Sequence, residues 1–231
     1  MKKILLLAGV ACLFSAQAGA ESFILNPYIS AKAKYSFMDN NATFKAYRTY
    51  KDGSTRNESA KDSTDDNVFG GSFALGLRTQ LIYGALRNEF EYTRNADAKK
   101  SHTESDGEKY ESKLKSEAFM FNTYYDIETN SPITPYIGAG LGVSRLKYSE
   151  SYPSMPEENG SLKHSNFAWQ VGAGVAYDIN RNLALDLGYR YMDYGHFNKT
   201  ETDNNEERDK TEKIKVESKA HEILLGLRYT F

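Results

Sequence analysis

Cysteine is almost missing from this chain. The single copy, Cys12, lies in an N-terminal stretch that reads as a removable leader, so no disulfide is left to hold a mature domain together. Long apolar runs are missing too. Beyond the first twenty residues no window of 18 apolar residues occurs, which excludes membrane-spanning helices. There is little excess of either charge sign: 29 Lys and Arg stand against 31 Asp and Glu, for a net charge of −2. That balance implies neither a nucleic-acid partner nor a strongly acidic one. The four histidines show no metal-ligand spacing, so no metal and no cofactor is expected. Tryptophan occurs once and proline five times.

What the chain does have is tyrosine and glycine, 17 of each, a mixture that favours strands over helices. The final stretch, Lys219 to Phe231, reads KAHEILLGLRYTF. His221, Ile223, Leu225, Leu227, Tyr229 and Phe231 alternate with Ala220, Glu222, Leu224, Gly226, Arg228 and Thr230. A two-residue period makes this a strand with one oily face and one small or polar face. An aromatic-studded strand at the very end of a chain suits a transmembrane barrel, whose oily face meets lipid. The opening twenty residues agree. Lys2 and Lys3 precede an apolar run from Ile4 to Phe14, and Ala18-Gly19-Ala20 forms a small-residue cleavage site. Residues 1–20 are expected to be a secretory signal and 21–231 the barrel domain. The apolar run is too short for an anchor, and Gly9 and the short lead-in argue against lipidation of Cys12.

Seven further segments share the period of two: Tyr28 to Phe37, Phe69 to Arg78, Ala85 to Tyr92, Phe119 to Ile127, Ile137 to Ser144, Phe167 to Tyr177 and Leu183 to Met192. Asn88 interrupts the oily face of the third of these. The connections alternate in length. Those at 79–84, 128–135 and 178–182 are short, whereas 38–67, 94–115, 149–165 and 195–218 are long and polar. The expected fold is therefore all-β: an eight-stranded antiparallel up-and-down transmembrane β-barrel with four long extracellular loops and short periplasmic turns. A soluble sandwich or lipocalin would point its bulky apolar phase inward. It would not carry Gly138, Gly140, Gly142, Gly172, Gly174 and Gly188 on the opposite phase. Those glycines repeat along strands with no helix after them, so they are read as making room inside a barrel and not as a phosphate loop.

The stretches PYIGAGLG (135–142), LGYRYMDYG (187–195) and LRYTF (227–231), with the leader and the eight-strand plan, resemble the opacity-protein surface antigens of Gram-negative bacteria, relatives of OmpX- and OmpA-type barrels. The resemblance covers the strands and not the loops. It implies that Tyr229 and Phe231 form the signal read by the barrel-assembly machinery. It also implies a surface antigen or adhesin that contacts a host receptor or matrix through its loops, without catalysis.

Three groups of residues carry candidate chemistry. The inward phase holds Lys32, Lys34, Arg78, Arg87, Arg190 and Arg228 against Glu89, Glu91, Asp126, Asp186 and Glu222. In an eight-stranded interior these charges are expected to pair into a plug, the alternative being a conducting pore. Phe44, Tyr47 and Tyr50 form an aromatic cluster, a contact anchor in a loop or equally an extension of the first strand. Arg145 and Lys147 continue an outward phase above the membrane, where outer-membrane lipid and the phosphates of lipopolysaccharide would meet them. Gly195-His196-Phe197-Asn198 is the nearest approach to a lipid-modifying hydrolase site, and no serine stands beside it in sequence. A purely structural envelope barrel is the third reading.

Overall fold

The alternating segments form strands because the sheet closes on itself, so every paired backbone group is satisfied within the ring. The computed structural model describes residues 25–50, 53–103, 109–151, 160–204 and 208–231. The expected leader, residues 1–20, lies outside the described residues. Among the described residues nine strands run in chain order: β1 (Leu25–Tyr50), β2 (Thr55–Leu81), β3 (Gly84–Asn95), β4 (Ala98–Thr103), β5 (Lys109–Ile127), β6 (Ile133–Ser151), β7 (Gly160–Asp178), β8 (Leu183–Asn204) and β9 (Arg208–Thr230). β3 and β4 share one position in the wall, since both pair with β5 and are separated only by a break at Ala96–Asp97. The nine segments therefore make a closed eight-stranded antiparallel barrel, with β9 pairing back to β1 and β3 to β5.

The apolar phase points outward. Phe69, Phe90, Phe119, Phe167, Ile137, Leu141, Leu187 and Leu225 are all exposed on the bare protein, Phe69 by 70%. The opposite phase is buried, and Ala74, Ala118, Ala168, Ala176 and Ala220 are almost wholly covered. An inside-out arrangement of this kind is stable only with acyl chains around it. Asn88, the polar interruption on the oily face, is matched by Thr123 on β5, whose hydroxyl donates to its Oδ1 at 2.8 Å. The bond satisfies the Thr123 hydroxyl and the Asn88 carbonyl and so lessens the polarity turned to lipid. Aromatic rings mark both edges of the apolar band. Tyr35 and Phe69 lie 4.8 Å apart and Tyr92 and Phe119 4.9 Å apart near the upper edge, while Tyr229 and Phe231 lie 5.2 Å apart at the lower.

The expected four long loops are in large part paired strand. β1 and β2 stay paired up to Thr49 opposite Thr55, and β8 and β9, past a register shift, up to Asn204 opposite Asp209. β4 and the upper part of β5 pair from Ala98–Leu114 to Thr103–Lys109. The sequence hides these extensions because the outer face of a strand above the membrane meets water instead of lipid, so no oily alternation is required of it. Near the rim of β8, Gly195 sits at φ +87°, in a register shift between Asp193 and His196. Its amide donates to Asp193 Oδ1 at 2.7 Å, and a Cβ at that position would come within 2.5 Å of Phe167 O. The bulge lets a long β8 bend away as it leaves the membrane.

Candidate functional site

All eleven charges assigned to the inward phase meet inside the barrel. They fall into two linked groups. At the lower end Arg87 Nε lies 2.8 Å from Asp126 Oδ1, and Arg78 and Arg228 approach the other oxygen of Asp126 at 3.6 and 3.7 Å. Arg228 also lies 3.5 Å from Asp186. Arg78 and Arg87 stand directly opposite each other on β2 and β3, a repulsive pairing that Asp126 offsets by binding both.

Higher up, Lys32 bridges Glu89 at 2.8 Å and Glu91 at 3.0 Å, and Arg190 reaches Glu91 at 2.7 Å. Arg190 also pairs with Glu222, which Lys34 approaches at 2.9 Å. Glu222 is completely covered, and it further accepts bonds from Ser36 and Tyr194, at 2.9 and 2.8 Å. Each buried carboxylate thus meets cations from at least one other strand, the condition under which a buried charge is tolerated.

Neutral side chains that charge patterning did not single out complete the network. Tyr28 donates to Glu89 at 3.0 Å, and Asn122 donates to Glu89 and Glu91 at 3.2 and 3.1 Å. Asn95 donates to Ser116 at 2.8 Å and to Tyr194 at 3.3 Å. Tyr28 and Asn122 hold the inward phase of their strands and could have been found by it. Tyr194 lies just beyond the apolar stretch of β8 on the inward phase of Arg190 and Met192, so carrying the alternation two residues further would have found it. The interior glycines give these side chains room. A Cβ on Gly138 would fall 2.2 Å from the ring of Tyr124, and one on Gly140 2.0 Å from Asn122.

Above the charges lies a small apolar layer of Met38, Met120, Met192 and Ala220 packed against Tyr194. Below it, a cavity of about 30 Å³ among Arg87, Tyr136, Asp186 and Arg190 has room for a water or two. A wider mouth of about 510 Å³ opens at the turn end between Arg78, Asp178, Arg181 and Arg228. No group of three His, Cys, Asp or Glu able to hold a metal occurs among the described residues.

The other candidates lie on the outside. Phe44, Tyr47 and Tyr50 all fall within β1, on its extension above the membrane. The Tyr47 ring is exposed, with Lys213 Nζ 5.6 Å from its centroid. Arg145 is engaged by Glu117 at 3.1 Å, and Lys147 is exposed. Tyr229 and Phe231 both face outward at the lower edge. His196 is exposed beside the bulge. His221 lies with its Nδ1 2.6 Å from the Tyr189 hydroxyl, on the lipid side of the upper rim.

Above the membrane, paired carboxylates are held below their ordinary range. Asp97 is lowered chiefly by its hydrogen bond from Lys113, Glu58 by that from Arg48 and Glu217 by that from Lys215.

Comparison with known proteins accords with this architecture. A family model described as outer membrane protein beta-barrel domain matches residues 5–231. The outer membrane protein PagN of Salmonella typhimurium is 31% identical over 120 residues, 49% of this chain and 48% of that protein. Opacity protein V28 of Neisseria gonorrhoeae is 32% identical over 130 residues, 46% of this chain and 49% of that one. RC1281 of Rickettsia conorii, whose name proposes an adhesin, is 29% identical over 162 residues, 66% of this chain and 61% of that one. The matched region spans about half the length of PagN and V28. With lipid-facing aromatics outside and compensated charges within, the chain belongs to the outer membrane protein β-barrel family, and its place is the bacterial outer membrane.

Proposed function

We propose that this protein is a non-enzymatic surface adhesin: a closed barrel, filled by its own charge network, that holds paired hairpins above the outer membrane for contact with a host receptor or matrix. The observation that carries the reading is the length of the strands. β1 and β2 remain paired well beyond the lipid-facing rings, so they project a stiff, polar hairpin and not a collapsed loop. Exposed Tyr47 beside Lys213 supplies an aromatic and a cation on that projection, types suited to a binding anchor. The name of the Rickettsia relative and the resemblance to opacity proteins support the same direction.

In this reading residues 1–20 serve as the export signal, and Tyr229 and Phe231 present the aromatic edge that the barrel-assembly machinery engages. The interior takes no part in chemistry, because its carboxylates are each tied to cations.

The test shortens the β1–β2 and β8–β9 hairpins while leaving the barrel whole. Joining Asn40 directly to Thr64, or Asn198 to Lys215, through a two-residue turn preserves the pairing below. Bacteria displaying at least one shortened form should lose binding to host cells or matrix while the barrel still migrates as a folded species. Undiminished binding by both forms would overturn the role given to these two hairpins, and no binding by the parent would leave a purely structural barrel. An altered lipid A mass spectrum on deleting the gene would instead point to an enzyme.

A further inference from the structure

One side of the barrel carries an arrangement of charge that the display function does not require. On the outward faces of β5, β6 and β7, Phe119, Val143 and Phe167 stand side by side as an apolar row. Two residues higher come Glu117, Arg145 and Ser165, and two higher again Lys115, Lys147 and Lys163. Three lysines therefore lie directly opposite one another across three neighbouring strands. Like charges so placed repel. Lys115 has only a distant carboxylate, Asp97 at 3.7 Å, and Asp97 is already taken by Lys113 at 2.7 Å. Glu117, the carboxylate between the two rows, is held by Arg145 at 3.1 Å and by the Tyr92 hydroxyl at 3.0 Å. Lys147 and Lys163 are exposed and have no ion-pair partner among the described residues.

The far side of the rim is built differently. There the first charged row above the aromatics runs Asp39, Lys219 and Asp193 across β1, β9 and β8, alternating in sign. The cationic row is thus a local feature and not a general property of the rim. Its height is also specific. Four residues above Val143, on strands tilted by about 40°, Lys147 stands roughly 10 Å above the last lipid-facing row. That is the level of the headgroups of the outer leaflet, within reach of a flexible lysine.

We propose that the outward face of β5, β6 and β7 binds phosphorylated lipopolysaccharide, with acyl chains against Phe119, Val143 and Phe167 and sugar phosphates against Lys115, Lys147 and Lys163. The ligand is an amphiphile because the site is one: an apolar row below, a cationic row directly above, and no carboxylate left free between them. A multiply charged phosphoglycolipid removes the repulsion among the three lysines, which a single chloride or a zwitterionic headgroup would not do. Arg145 keeps its bond to Glu117 and serves as a fixed rung between the two rows.

The test places the full barrel in phosphatidylcholine bilayers with rough lipopolysaccharide, either intact or stripped of its phosphates. Two quantities are read: the temperature at which the folded form is lost, and the lipopolysaccharide retained per barrel after detergent extraction. Intact lipopolysaccharide should raise the unfolding temperature, and the stripped form should not. The variant K115Q/K147Q/K163Q should lose that rise and retain at least about tenfold less lipopolysaccharide. A control, K45Q/K61Q/K215Q, removes as many lysines from the hairpin face of β1, β2 and β9 and should behave as the parent. The proposal is overturned if the first variant keeps the rise or if the control loses as much. It is equally overturned if stripped lipopolysaccharide or inorganic phosphate stabilises the barrel as well as the intact lipid.

Discussion

Glu222 is where the interior network concentrates. It sits on β9 among Lys34 from β1, Arg190 and Tyr194 from β8 and the hydroxyl of Ser36, with no access to water. Replacing the whole pair with apolar groups could leave stability little changed, but removing one partner strands the others. Glu222→Ala leaves Lys34 with no remaining carboxylate and Arg190 with Glu91 alone. It should cost about 3–5 kcal/mol in a urea titration of the barrel in lipid. Arg145→Gln breaks a half-exposed pair at the rim and should cost no more than about 1 kcal/mol. Equal effects would mean that burial does not set the strength of this network. The inward charges themselves are visible in the sequence, because a period of two assigns each to one face. Which cation meets which carboxylate is not visible. Glu91 and Arg190 are 99 positions apart, and only closure of the sheet brings them together.

Among the elements, the strand portions within the membrane announce themselves and the portions above it do not. Lipid demands an unbroken oily phase, so Ile137 to Val143 or Leu183 to Tyr191 can be read at once. Above the rim the outer face meets water instead of lipid, and residues 38–50 of β1 show no such phase although they are fully paired. The aromatic cluster Phe44, Tyr47 and Tyr50 belongs to this region, and its place in a strand follows from pairing with β2 and β9.

The short β4 depends on fewer partners than the rest, since it pairs with β5 alone. Asp97, at the break before it, is bound to Lys113 and Lys115 on β5. Its folded value is depressed, so the pairing adds stability above the ordinary aspartate range and loses it as pH falls through the lowered folded value. Below about pH 4, the protection of amides in 98–103, corrected for the slower intrinsic exchange in acid, should fall while that of 84–95 is kept. Raising salt at neutral pH should lower that protection by a smaller amount, because screening weakens a partly exposed pairing without abolishing it. No change in 98–103 on acidification would remove Asp97 from the account of why β4 stays docked.

For the whole molecule, the decisive matter is that the inside is full. Charges occupy the lower and middle interior, methionines close it above, and the space left between Arg87 and Asp186 holds little more than a water. The wider mouth beside Arg78 and Arg181 ends against Asp126 and Arg228. Reconstituted in a planar bilayer, the barrel should show no steady ohmic conductance. Opening by Glu222→Ala or Met192→Gly should produce at most brief, irregular events, and a stable open channel in the parent protein would contradict the filled interior. The same inside-out design makes lipid or detergent a requirement, since the exposed rings of Phe69, Phe119 and Phe167 would otherwise drive aggregation.

The sequence alone settled the class of the fold, the number of wall positions and the face taken by each residue from Tyr28 to Phe37 and from Lys219 to Phe231. The period of two is a local property that lipid enforces residue by residue. Only the closed ring settled which side chains touch, how far the strands rise above the membrane, and that three lysines from β5, β6 and β7 stand in one row. Those depend on register between segments far apart in the chain, fixed by backbone pairing that leaves no mark on the order of the residues.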